Sequence, residues 1–456
     1  MITLSTTNYG NVTAIGTSRS LPREQSSIHL LKQLIWIYFW FLLFEGALRK
    51  WIVPGLAAPL LVIRDPLLIL IYAIALSANV FPKNKFVMLS FVLAGVSFIA
   101  SVLATVSTEY ENVFVTLYGV RTDFLHLPLL FLMPKILDIK DVERFGRWIL
   151  LISIPMSILM VLQFKSGPYS FINATAGGEG RQLDSIAGKI RPPGTFSYIT
   201  GVVQYYGFVV AYLLYGVFKE KAYSNVLLAG AGVSVVVAMA VSGSRSAVFA
   251  LVLVALALVC CVILNRKMLK KSYRLAILVG ICLALGFTRV FNEGMSATQK
   301  RFEYANKSEN TLLRFIGEYQ KPFELIADIP ALGNGLGVGT NVGAAMLHRR
   351  GKFLLAEGEW SRIMLEGGPI LGFAFILFRV ILTFVIGREC FKNAKRGVYL
   401  PALLFGACGL LVLSGQLGQP TTLGFTVFGG GLCLSACVKP QRVYEQGALA
   451  RSGAVL

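Results

Sequence analysis

The sequence predicts an all-α fold, a polytopic transmembrane helical bundle of about twelve spans, with a long extracytoplasmic loop containing short helices before span ten. Three observations predict it. Of 456 residues, 55% are hydrophobic and only 14% charged, whereas a soluble globule is about a quarter charged. The apolar residues gather into runs near the ~20 residues that a helix needs to cross hydrocarbon. Between those runs, short and densely basic connections alternate with longer ones, the pattern that charge imposes on membrane topology.

Taken in order, residues 1–28 are Ser/Thr-rich without an apolar core, and read as a disordered cytoplasmic tail rather than a secretory signal. The membrane domain covers residues 29–438, with spans near 30–48, 59–78, 86–105, 113–133, 148–164 and 199–218. Six more follow near 224–241, 246–264, 275–291, 363–386, 400–416 and 423–438, and residues 439–456 form a second cytoplasmic tail. Lys83 and Lys85 mark one inner loop, followed by Lys135, Lys140, Arg144 and Arg147, then Lys219 and Lys221. Residues 266–274 and 388–396 carry two further basic clusters. These loops are placed inside with both termini. The net charge of +20 would suggest nucleic acid in a soluble chain. Here it lies in short loops, so the partner expected is the lipid bilayer and no nucleic acid. The seven cysteines fall in spans or near inner loops, where a disulfide framework is not expected.

Two long loops remain outside, 165–198 and 291–361. The second contains a predicted amphipathic helix over 311–326, with Leu312, Phe315, Ile316, Tyr319 and Phe323 on one face. A Gly-rich turn, GNGLGVGTN, follows it. Within or beside spans lie Glu45, Arg49, Lys50, the Arg64–Asp65 pair and Arg379. A charge in hydrocarbon costs several kcal/mol, so each needs a reason. Arg64–Asp65 reads as a paired structural charge or as the wall of a polar cavity. Arg379 is expected to snorkel toward the cytoplasmic face.

The outer side is where cations are unexpected, and it carries many. Arg121 (YGVRTDF), Arg191 (RPPGTF), Arg245 (SGSRSA) and Arg314 stand at or beyond the outer face, with His348, Arg349, Arg350 and Arg362 further along. Guanidinium forks match phosphate oxygens bidentately, so several converging arginines suit a diphosphate. The competing reading is that each caps a helix or pairs with an acid, as Arg121 would with Asp123. Glu359, Arg362 and Glu366 fall on one helical face, either as part of a substrate site or as a solvated salt-bridge ladder. Glu357 sits at the mouth of span ten, where a carboxylate has the chemistry to deprotonate a sugar hydroxyl. The three histidines are scattered, no Asp-x-Asp pair exists, and no phosphate-binding loop or nucleophile elbow is present. No metal site and no cofactor are expected. GNGLGVG follows an outer-loop helix rather than a strand, so it reads as a turn and not as a nucleotide site.

In order, FEGALRKW (residues 44–51), RPPGTF (191–196), SGSRSA (242–247), Arg314 ahead of IPALGNGLGVGTN, and EGEWSRIMLEGGPILG opening span ten give the chain a family likeness. Over most of its length it resembles the O-antigen ligase / O-antigen polymerase superfamily of bacterial membrane glycosyltransferases. The resemblance implies transfer of a glycan from a polyprenyl-diphosphate carrier to a glycan or lipid-linked sugar acceptor, on the outer face of the inner membrane, without a metal. By it, Arg191, Arg245 and Arg314 hold the diphosphate. The ligase branch places a His eleven residues before a Gly-x-x-Gly; here Glu357 stands eleven residues before Gly368, and the next glycine, Gly372, falls one place late. Polymerase and ligase both stay open. The rival from another class is a flippase or transporter of lipid-linked oligosaccharide, whose two similar halves are not seen in the sequence.

Overall fold

A computed structural model describes residues 20–107, 112–177, 182, 190–265, 311–347, 356 and 358–437. All regular elements among them are helical. Helix α1 (Ser20–Ala47) runs into a π-helical turn at Leu48–Ile52, followed by the short α2 (Ala57–Leu60) and by α3 (Arg64–Ser77). Then come α4 (Lys85–Ser107), α5 (Val113–Val120), α6 (Leu127–Ile136), α7 (Ile139–Lys165), α8 (Ile199–Phe218), α9 (Asn225–Ser242) and α10 (Arg245–Leu264). The remainder is α11 (Thr311–Glu324), α12 (Asn341–Met346), α13 (Glu359–Lys395), α14 (Leu400–Ser414) and α15 (Pro420–Ala436).

Seven helices among the described residues are long and apolar enough to cross a membrane, or eight if the bent pair Pro54–Leu60 and Arg64–Ser77 is one span. The protein is therefore a multi-pass membrane protein. Besides this bent span two, three further expected spans are shorter or broken. Span four is split into α5 and α6 by a π-helical turn, Arg121–Leu125, which turns Arg121 and Asp123 inward to protein partners. Helix α14 stops after 15 residues because Arg379 of α13 donates to the carbonyls of Leu411, Val412 and Gly415 at its end. Helix α15 has 17 residues. The expected span at 275–291 lies outside the described residues. At the N-terminus, α1 begins at Ser20, inside the stretch expected to be a tail.

Helix directions follow from close contacts. Gly207 of α8 meets Ala407, Gly406 meets Val254 and Ala257 of α10, and Gly387 of α13 meets Phe405. Helix α14 is thus antiparallel to α8, α10 and α13. Its last turn lies level with the starts of α8 and α10, so Arg245 is at the same end of the bundle as Ser414. We refer to this as the Arg245 end. Helix α15 packs parallel to α6 through Gly430 on Leu130 and Gly431 on Met133, small residues that let helix backbones approach. Ile370, Phe373, Leu377, Ile381 and Phe384 form an exposed stripe down α13 at helical spacing.

Helix α13 is in fact a hairpin. Gly368 has φ 72° and ψ 175° and is followed by Pro369. A Cβ there would lie 2.5 Å from the Ala331 carbonyl oxygen. Residues 359–367 fold back along the helix that follows, so Glu359 reaches Arg379, with Oε1 and Nη1 2.9 Å apart. In a continuous helix those residues would be about 30 Å apart.

Candidate functional site

The hairpin creates a buried charge cluster at the Arg245 end. Arg362 donates to Glu359 (2.9 and 3.0 Å), Glu366 (2.6 Å) and Asp123 (2.7 Å). All four side chains are buried. Glu359 also accepts from Arg379 and from the Leu417 N–H at 3.0 Å. Glu366 accepts from the Gly339 N–H at 2.8 Å, so the GNGLGVG turn is docked on a carboxylate. The expected i,i+3 and i,i+4 ladder is present, but it is buried rather than solvated. Arg379 is 2% exposed and does not snorkel, because the folded-back segment brings Glu359 to it. Every described charge here is answered by protein, so Glu359 and Arg362, read from sequence as substrate contacts, hold the hairpin, the α14–α15 loop and the π-helical turn together.

A second cluster joins α1, α3 and the π-helical turn. Arg121 grips Asp65 bidentately at 2.6 and 2.8 Å, and not Asp123. His126 lies 3.0 Å from Asp65 through Nε2 and 3.0 Å from the Tyr38 hydroxyl through Nδ1. Arg64 donates to Glu45 at 3.2 Å and to the Pro420 carbonyl at 2.5 Å. The adjacent Arg64 and Asp65 therefore pair with different partners instead of with each other. Arg121 keeps one buried nitrogen, Nη1, without a hydrogen bond.

The RPPGTF segment sits against this cluster. Gly46 of α1 approaches so closely that a Cβ would lie 2.5 Å from the Ser197 nitrogen and the Thr195 oxygen. Gln163 brackets Gly194, accepting from its N–H at 2.8 Å and donating to its carbonyl at 3.1 Å. Lys50 donates to the same carbonyl at 2.6 Å, Thr195 donates to the Leu43 carbonyl at 2.7 Å, and Arg49 donates to the Ser197 hydroxyl at 3.1 Å. These bonds fix the segment that carries Arg191. Gly46 and Lys50 were read from sequence only as part of FEGALRKW, and Lys50 also as a charge beside span one; Gln163 was not singled out. The lone glutamine at the end of an otherwise apolar run, MVLQF, was the available signal.

Arg191 and Arg245 are brought together. Both are partly buried. Burial lowers the Arg191 pKa from the usual guanidinium value, and the neighbouring Arg245 lowers it further. The Arg191 Nε is buried without a hydrogen-bond partner. Arg245 occupies the first turn of α10, behind a left-handed Gly243 (φ 54°) and the N-cap Ser244. At the same end of the bundle, Tyr319 of α11 bonds the Ser414 hydroxyl at 2.9 Å and stacks edge-on with Trp360. This seats α11 over the end of α14, and the Arg314 backbone lies just over one turn before Tyr319. Gly358 packs against Glu318 of α11. Glu357 lies outside the described residues, between Ala356 and Gly358, and so do His348, Arg349 and Arg350. Among the described residues, no group of three His, Cys, Asp or Glu side chains is placed to hold a metal ion.

The described residues thus place Arg191, on a braced loop, within electrostatic range of Arg245 at a helix start, at the end of the bundle where α11 carries a third arginine. Arginines so placed have the chemistry that suits an anion. No family model matches the chain, and no curated protein matches it.

Proposed function

We propose that this protein is a membrane glycosyltransferase that takes a glycan from a polyprenyl-diphosphate carrier and passes it to a sugar hydroxyl, as an O-antigen or exopolysaccharide polymerase or ligase. It works at the outer face of a bacterial inner membrane, with twelve spans and both termini inside. The common direction of α10 and α13 supports an odd number of crossings between them, which the expected span near residues 275–291 supplies. The observation that carries the reading is the Arg191–Arg245 pair. Two like charges within electrostatic range, one with a buried Nε that has no hydrogen-bond partner, suit a dianionic ligand.

In the proposed reaction the acceptor hydroxyl oxygen attacks the anomeric carbon of the donor sugar. The bond from that carbon to the phosphate oxygen breaks, and polyprenyl diphosphate departs with the electron pair. Arg191, Arg245 and Arg314 stabilise the charge that grows on the leaving group. The hydroxyl proton passes to the Glu357 carboxylate. His348, Arg349 and Arg350 lie along the same loop and are assigned to binding the glycan. Arg121, Glu359 and Arg362 act at one remove, by fixing the frame.

The test is transfer by the purified protein in vesicles loaded with polyprenyl-diphosphate-linked glycan and acceptor. Glycosylated acceptor and free polyprenyl diphosphate should appear in equal amounts. If the lipid-linked donor only changes leaflet and stays intact, the protein is a transporter and the catalytic assignments fall.

A further inference from the structure

Helix α11 and the chain after it present apolar side chains that the described residues leave exposed. Ile316, Phe323, Ile326 and Leu332 are all exposed. They are not scattered. Ile316 and Phe323 lie two turns apart on one edge of α11, while the neighbouring Tyr319 and Pro322 face the bundle, Tyr319 on Trp360 and Ser414 and Pro322 buried. The opposite edge is polar, with Glu318 and Lys321. This edge also continues the exposed apolar stripe of α13. The Phe323 ring lies 6.5 Å from that of Phe373 on the exposed stripe of α13. Leu332 adjoins the Gly368 turn, next to Ile370 where the stripe begins.

We infer that α11 and the segment to Leu332 lie in the membrane interface at the Arg245 end, with Ile316, Phe323, Ile326 and Leu332 dipping among the acyl chains. An amphipathic helix with one apolar edge and charges opposite binds a bilayer surface in this way. The occupant of the patch is the bilayer itself, because the patch is continuous with the belt of α13. Helix α11, at the same end of the bundle as Arg245, is thereby held at lipid level, whatever chemistry takes place there.

The experiment places a benzophenone amino acid singly at Ile316, Phe323, Lys321 or Ile381 in the full chain, reconstituted in phosphatidylethanolamine–phosphatidylglycerol vesicles. After irradiation, adducts are read by mass spectrometry. Ile381, midway down the stripe, reports the yield in lipid and shows that the protein is inserted. Lipid adducts at 316 and 323 should approach the Ile381 yield and exceed that at Lys321 at least several-fold. Yields at 316 and 323 no higher than at Lys321, with Ile381 labelled, would overturn the inference. So would cross-links from 316 and 323 to a second copy of the chain in place of lipid.

Discussion

Replacing Gly46 by alanine isolates the contact that seats the RPPGTF segment. Gly46 has helical backbone angles, so the added methyl brings no conformational penalty and the effect is packing alone. The new Cβ would lie 2.5 Å from the Ser197 nitrogen, 2.5 Å from the Thr195 oxygen and 2.6 Å from the Phe196 carbonyl carbon. All three are backbone atoms, which cannot rotate away. Relief requires the segment to retreat from α1 by roughly 1 Å. That movement strains the bonds from Lys50 to Gly194, from Thr195 to Leu43 and from Arg49 to Ser197. At about 1 kcal/mol net for each of the three bonds if lost, and 1–3 kcal/mol for overpacking, the expected loss is up to about 4–6 kcal/mol. Arg191 moves with the segment, and a displacement of about 1 Å can reduce a rate about 100-fold. The assay compares thermal unfolding in detergent and transfer from the lipid-linked donor for Gly46→Ala and Gly55→Ala. Gly55 has nothing within 4 Å of its would-be Cβ, so its variant should match the parent in both. A Gly46→Ala protein with parental stability and rate would refute the seating of this segment on α1.

Other consequences are equally direct. Arg191→Lys and Arg245→Lys should each lower transfer by about 100-fold at unchanged protein level, since a bidentate fork is lost; full activity in both would remove the diphosphate clamp. Glu357→Gln should abolish transfer while leaving the amount of membrane-inserted protein unchanged, and a fully active variant would exclude Glu357 as the base. Arg362→Met should instead reduce the yield of folded protein, because Asp123, Glu359 and Glu366 lose the guanidinium that answers them; breaking such a buried network costs about 3–5 kcal/mol. A well-folded Arg362→Met protein that has lost only activity would return Arg362 to the substrate site.

The helices were largely legible because span length and apolar composition leave little else for such segments to do. Residues 86–105, 199–218 and 246–264 correspond closely to α4, α8 and α10. The amphipathic reading of 311–326 matches α11 and the 3-10 turn Leu325–Asp328 after it. Charge partners were not legible, because they depend on fold-back. Gly367-Gly368-Pro369 marks a break, but nothing in the spacing of Glu359 and Arg379 reveals that the chain doubles back to join them. Arg121 has Asp123 two residues away in sequence, yet the π-helical turn sends the two to different partners, Asp65 and Arg362. Arg191 and Arg245 were grouped from residue type, outer-face placement and the family resemblance, while their nearness rests on the end-to-end alignment of α8, α10 and α14.

The central claim is tested most directly by deleting the gene and separating the cell's glycans by size and by lipid carrier. The account predicts that polyprenyl-diphosphate-linked glycan accumulates on the outer face and the finished polysaccharide is lost. Wild-type chain should reverse this, and the Arg191→Lys/Arg245→Lys double variant should not. Single repeats on the carrier identify a polymerase, and long chains on the carrier identify a ligase. Lipid-linked glycan confined to the cytoplasmic face, or a glycan profile unchanged by the deletion, would contradict the account.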